Sequence, residues 1–261
     1  MPGLHDLTPD PDTAAPIVRT EGDRRTLEFT PGDIQSEMRL SRPDALVLSY
    51  TRAMMCFALL APRPRHIVMV GLGGGSFAKF CHRRFPDARI TVLEVRADVI
   101  ALREQFGVPP DDLRLRVLHC DATAWLGGAA NRAGADVLLV DGFDAAGLPP
   151  SLSSSAFYAD CRRALRPGGV LVANIFTYDL AYVTALQRLH AAFDGQVCCL
   201  AGIAGNNQIL FAQRPAHPGR APGRPLRLLR DTLRNRGLGT AFLNRLLARC
   251  VVGYLAWRGA G

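Results

Sequence analysis

The sequence predicts an α/β fold: a mostly parallel Rossmann-type sheet closed by an antiparallel C-terminal hairpin, with a small N-terminal β-hairpin region in front of it. Three observations predict it. Short apolar runs alternate with helix-length stretches from residue 66 to residue 193, the pattern of right-handed βαβ units. The last two strand-like runs are split by AGNN (204–207), a hairpin signal. A glycine cluster, GLGGGS (71–76), sits between the first buried run and the helix that follows it.

Taken in order, residues 1–16 are rich in Pro and Asp and are expected to be disordered. RRTLEF (24–29) and DIQSEMRL (33–40) alternate like strands around the turn TPGD, which gives the small hairpin. PDALVLSYTRAMMCFALLA (43–61) has apolar residues at helical spacing, with Asp44 as its cap and PRP as its stop. The alternating elements follow. HIVMVG is a strand and SFAKFCHRRF a helix closed by Pro86. RITVLEV is a strand and ADVIALREQFG a helix ended by Gly107. LRVLHCD leads into a short helix, ATAWLGG, and ADVLLVD into the helix and turn SSAFYADCRRALRPGG. VLVANIF precedes the helix DLAYVTALQRLHAAF, and QVCCLAGI and NQILFAQ complete the sheet. A Pro/Gly/Arg linker opens the tail, which ends in one or two basic amphipathic helices. The expected organisation is 1–16 disordered, 17–61 hairpin plus helix, 62–213 catalytic Rossmann-like domain, and 214–261 linker and helical tail.

Composition narrows the function classes. The chain has 261 residues, 48% of them apolar, enough for one large domain with a core of its own. Net charge is +8, yet Lys79 is the only lysine, and no basic run is interleaved with aromatics, so nucleic acid is not expected. The seven cysteines (56, 81, 120, 161, 198, 199, 250) have no CxxC spacing and read as reduced and structural. The six histidines form no HxH or HExxH cluster, so no metal site is expected. There is no signal-like start and no apolar run of about 18 residues, so a soluble cytoplasmic protein is expected. The basic tail reads as packed on the domain; contact with a membrane surface or acidic partner is the other reading.

In an open parallel sheet, ligands bind beyond the carboxyl ends of the strands. Four candidate positions fall there. In GLGGGS, Gly71, Gly73 and Gly74 let backbone approach a ligand, and the helix behind them favours negative charge. Tight turns carry such glycines without a ligand, and Ser76 stands at the third glycine of G-x-G-x-x-G. Glu94 lies 23 residues past Gly71, the spacing of an acid that accepts ribose hydroxyls; a salt bridge to arginine is the alternative. Asp121 in HCDATAWL suits an exocyclic adenine amine, with the Ala122 amide on a ring nitrogen; capping the next helix is equally open. Asp141 and Asp144 in VDGFDAAGLPP suit binding and deprotonating an amine, or else an Asx-turn. Together these fit an adenosine ligand. The terminal hairpin favours an S-adenosylmethionine-methyltransferase-like sheet over a nicotinamide one.

GLGGGS…TVLEV…HCDA…LLVDGFD…FYADCRRALRPGGVLVANIF resembles the spermidine synthase (polyamine aminopropyltransferase) family over residues 24 to 213. The resemblance implies decarboxylated S-adenosylmethionine as donor, a (poly)amine acceptor, methylthioadenosine as product, and a homodimer or homotetramer. It gives Glu94, with Val95 beside it, to the ribose end and Asp121 to the adenine. Gln35 touches the nucleoside, Asp141 is the general base, Asp144 holds the diamine, and Tyr50 in SYTRAM matches the motif tyrosine. The chain departs from the family at Gly74, where the family has an acid that binds the donor's amine. It also departs at Arg96 (an acid) and at Thr51 and Arg52 (Gln and Glu), so it resembles a divergent, spermidine-synthase-like branch. Intact S-adenosylmethionine with methyl transfer is the first alternative, and a non-catalytic adenosyl-nucleoside-binding module the second.

Overall fold

The computed structural model describes residues 15–142, 147–177, 182–204, 207–216 and 240–258, without the side chains of 201–204 and 240. Strands β1 (Ile17–Glu21), β2 (Arg24–Glu28) and β3 (Ile34–Arg39) form a separate antiparallel sheet in the order β1-β2-β3. The expected hairpin thus gains a third strand. Gly22, at φ 55, makes the tight β1–β2 turn that only glycine adopts freely.

The expected helix over 43–61 is much shorter. Helix α1 covers Ser49–Met54 and tightens into a 3-10 turn over Met55–Leu59. Asp44 caps nothing there; it pairs with Arg83 and Arg84. The start of α1 is instead held by Arg52, which donates to the Leu46 and Val47 carbonyls and to Ser49 Oγ.

The main sheet is built from β4 (His66–Val70), β5 (Arg89–Glu94), β6 (Leu115–His119), β7 (Ala135–Val140), β8 (Leu165–Phe176), β9 (Val197–Ala204) and β10 (Asn207–Gln213). Their order is β6-β5-β4-β7-β8-β10-β9. The pairings from β6 to β8 are parallel, and β10 runs antiparallel between β8 and β9. The hairpin therefore places its second strand inside the sheet, and β9 is the edge.

Crossovers are made by α2 (Ser76–Arg84), α3 (Ala97–Ala101), α4 (Ala122–Gly127), α5 (Ser155–Ala164) and α6 (Tyr182–Ala192). The RPGG read as a turn after α5 already belongs to β8. Arg214 exchanges backbone hydrogen bonds with Gly168 and Gly169 there. A Cβ on Gly169 would lie 3.1 Å from the Asp136 carbonyl, so glycine permits that close pairing. The last described helix, α7 (Thr240–Arg258), lies beside α1 and β9.

Both faces of the sheet are covered, which is why its central strands are continuously apolar. Ile67, Met69, Val92, Val137 and Leu139 point to one side with α1, α2 and α7. Val68, Val70, Leu93, Leu138 and Val140 point to the other with α4, α5 and α6. This period-2 split fixes which residues reach the strand tips together.

Lys79 is buried on α2, its ammonium donating to Phe106 O at 2.6 Å. Burial lowers its pKa from 10.5 to about 8, with Asp44 acting the other way. Between those values the unfolded chain holds a proton that the folded one has released. Lys79 therefore contributes stability that rises with pH from about 8 to about 10.5, by up to roughly 3 kcal/mol, while the buried thiols of Cys56, Cys81 and Cys161, held above their usual pKa, act in the opposite sense over the upper part of that range. Urea midpoints of the native chain and of Lys79→Met across that range isolate the Lys79 part, and their difference is expected to shift in favour of the native chain as pH rises.

Candidate active site at the strand tips

The strand tips bring four candidate positions side by side because β6, β5, β4 and β7 are neighbours. The chain runs outward from β4 to β5 and β6 and then returns from β6 to β7 on the other side of β4, and this reversal opens a crevice above the sheet. The glycine loop after β4 fits tightly into it. Gly71 has φ 93, and a Cβ there would stand 2.5 Å from the Asp141 carbonyl oxygen. Gly75, the N-cap of α2, has φ 66 and faces Val108 at 2.2 Å in the same test. Side chains are excluded at both positions by contact and by backbone conformation.

Glu94 ends β5 and is buried, so its charge needs partners. The partners are backbone amides, not an arginine guanidinium. Oε2 accepts from Leu72 N at 2.8 Å and Oε1 from Arg96 N at 2.9 Å. The acid therefore fixes the glycine loop. Each oxygen keeps a further lone pair, free to accept a sugar hydroxyl. Val95, next to it, is 65% exposed, an apolar surface at the strand tip of the kind a base ring covers.

Asp121 caps α4: Oδ1 accepts from Thr123 N at 2.7 Å, and Thr123 Oγ1 donates to both oxygens. Its neighbour Cys120 bonds the Glu94 carbonyl, and Ala122 opens the helix. Gln35, on β3, donates to Asp33 at 2.9 Å. The next residue, Ser36, faces the glycine loop, its Oγ 2.7 Å from where a Cβ on Gly74 would stand. Asp144 lies outside the described residues.

Asp141 and Tyr50 are brought together from 91 residues apart. Tyr50 Oη donates to Asp141 Oδ2 at 3.0 Å, and Asn174 Nδ2 donates to Oδ1 at 3.0 Å. Asn207 Nδ2 in turn donates to Asn174 Oδ1 at 2.9 Å. Burial pushes the Asp141 carboxyl up from its usual range, while the bonds from Asn174 and Tyr50 pull it down. Burial and the adjacent Asp141 charge hold the Tyr50 phenol well above its usual value, so it stays a donor. A carboxylate in this setting is shaped to take a proton from an amine. Asn174 and Asn207 were not anticipated from sequence. The available signal was an amide inside the apolar run VLVANIF, which must find a buried partner.

Arg96 and Arg52, where the resemblance leads one to expect acids, are turned to other work. Arg96 forks onto Asp98, with a shortest distance of 2.7 Å, and lies over the Phe29 ring at 4.7 Å. Arg52 holds the start of α1, as described. At Gly74 a Cβ would meet Ser36 Oγ at 2.7 Å and the Phe106 ring at 2.8 Å. Packing thus fills the place where the resemblance leads one to expect an acid. Gly74→Asp is expected to cost about 1–3 kcal/mol through crowding, measured by thermal unfolding, and adding Phe106→Leu should recover part of it.

No family model matches the chain. It is 37% identical over 232 residues to a polyamine aminopropyltransferase of Chromobacterium violaceum, covering 88% of each chain. The chain belongs to the polyamine aminopropyltransferase family. A probable spermidine synthase of Corynebacterium glutamicum superposes with a TM-score of 0.67 at 21% identity, over 89% of this chain and 90% of that one. The human eEF1A lysine and N-terminal methyltransferase is 32% identical over 199 residues, 69% of this chain but only 28% of its own length. This aminopropyltransferase relative is accordingly a transferase on a methyltransferase-like Rossmann sheet, as the sequence implied. Among the described residues no helix is long and apolar enough to cross a membrane.

Proposed function

We propose that the protein transfers an aminopropyl group from decarboxylated S-adenosylmethionine to a small amine. The observation that carries this reading is the Asp141 carboxylate, held by Tyr50 and Asn174 directly beside the Gly71 turn. Glu94 would hold the ribose, Val95 and Asp121 the base, and Asp144 the far end of the acceptor. A free alkyl amine is protonated near neutrality, with a pKa of about 10. Asp141 takes that proton, and the freed lone pair attacks the carbon on the sulfonium. A carbon–nitrogen bond forms, the carbon–sulfur bond breaks, and its electron pair leaves on the neutral thioether of methylthioadenosine. Holding amine and sulfonium in line supplies much of the remaining rate. The raised Asp141 pKa sets the acid limb of the activity profile. Tyr50→Phe removes a bond to the carboxylate, so it should move that limb to higher pH in kcat/KM measurements.

One observation favours a second reading, methyl transfer from intact S-adenosylmethionine. Gly74 carries no acid to hold the donor's ammonium, and the glycine turn at the head of α2 tolerates a carboxylate. Mass spectrometry of reactions containing either donor and a panel of di- and polyamines separates the two. Methylthioadenosine with an aminopropylated amine supports the first; S-adenosylhomocysteine with a methylated product supports the second. Nucleoside binding with neither product leaves a binding module. A homodimer or homotetramer, as the family resemblance implies, is checked by sedimentation.

A further inference from the structure

Helix α7 plays no part in the site, and only one of its faces is packed. Ala248, Val251 and Leu255 are buried in the core beside α1. On the opposite face Phe242 is 68% exposed and Trp257 75%, with Leu243, Leu246, Cys250 and Tyr254 exposed between them. At 100° per residue these six side chains occupy one arc about 120° wide. An apolar groove floored by Ala58, Leu59 and Leu247 runs alongside it. Arg245 and Arg249 are exposed at the edge of the arc, and α7 contains no acidic residue. Charge is concentrated in this part of the chain. From Arg214 to Arg258 there are ten arginines against one acid, Asp231, whereas the rest of the chain has a net charge of −1.

We propose that this face of α7 docks on an anionic lipid surface, lying in the headgroup plane with its aromatic and leucine side chains inserted. The pattern is that of an interfacial helix, an apolar arc edged by arginine, rather than of a spanning one. Arg245, Arg249 and Arg258 on α7, with seven more arginines in the stretch of sequence just before it, select anionic over neutral headgroups. A second copy is the poorer occupant. Two-fold antiparallel pairing of α7 centred on Cys250 sets the Arg249 guanidiniums of the two copies side by side with no acid of either helix to separate them. Nucleic acid would use the arginines, and Tyr254 and Trp257 as stacking rings, but it leaves the exposed Leu243 and Leu246 without a role.

The test uses the full chain with vesicles of phosphatidylcholine alone, or with one third phosphatidylglycerol. Co-sedimentation is expected only with the anionic vesicles and is expected to weaken at high salt. In a Trp125→Phe background the emission of Trp257 should shift to the blue on those vesicles. Phe242→Glu and Trp257→Glu, at exposed positions away from the catalytic residues, should each lower partitioning about tenfold or more and leave activity in solution unchanged. The proposal is overturned if the chain ignores anionic vesicles, or if it binds neutral ones equally well. It is equally overturned if the two substitutions dissolve a dimer, or if RNA is bound in place of vesicles.

Discussion

Asp141→Asn is expected to lower kcat by about 100- to 10,000-fold, the range a positioned proton acceptor contributes, while methylthioadenosine binding stays within a few-fold of the native value. Asparagine keeps the shape of the side chain. Its carbonyl can still accept from Asn174, and its amide can face the Tyr50 oxygen, so the network at the tip of β7 survives. The capacity to hold a proton from the incoming amine is lost. Single-turnover rates and calorimetric titration on the same preparation measure the two quantities. An active variant would remove Asp141 from the chemistry. A variant that also lost the nucleoside would mean that the residue shapes the crevice and does not act as a base. High pH should recover part of the lost rate, because the amine then arrives neutral and the new carbon–nitrogen bond leaves an ammonium that keeps its proton.

The second large effect is expected at Glu94. Its two oxygens accept from two backbone amides, Leu72 N and Arg96 N. Glutamine offers one carbonyl and one amino group, so one of these buried N–H groups loses its acceptor. That costs about 1–3 kcal/mol of stability, read as a lower melting temperature. The same substitution removes the charge that a sugar hydroxyl would bond. Charge-assisted bonds of this kind contribute about 1.5–3 kcal/mol, so affinity for methylthioadenosine should fall about 10- to 100-fold. A ligand without the ribose hydroxyls separates the two causes. It should bind the native protein and Glu94→Gln with similar affinity if Glu94 grips the sugar. It should show the same loss as methylthioadenosine if Glu94 serves only to hold the Leu72 loop.

The strands and their tips were legible because two short-range signals agree there. Runs such as HIVMV and ADVLLV are apolar without interruption, as a sheet covered on both faces requires, and each ends on a glycine or an acid. The Glu94 partners were harder to foresee. An arginine two residues on suggests an ion pair, but the carboxylate bonds that residue's backbone while its guanidinium goes to Asp98. Asn174 and Asn207 were hidden for another reason. Their bond crosses from β8 to β10, and a local pattern does not show that a hairpin strand inserts between β8 and β9. The Gly74 environment depends likewise on Ser36 and Phe106, residues that arrive from a separate sheet and from the turn after α3. The helix over 43–61 was overextended because apolar spacing continues through residues whose backbone does not. Leu48 is extended, and only Ser49–Met54 forms an α-helix.

A crystal structure of the protein with methylthioadenosine tests the central claim most directly. The ribose hydroxyls should lie within hydrogen-bonding distance of the Glu94 carboxylate, with the ring over Val95. The thioether sulfur should face the Asp141–Tyr50 pair. A nucleoside bound elsewhere, or a crevice that stays empty at saturating ligand, would contradict it.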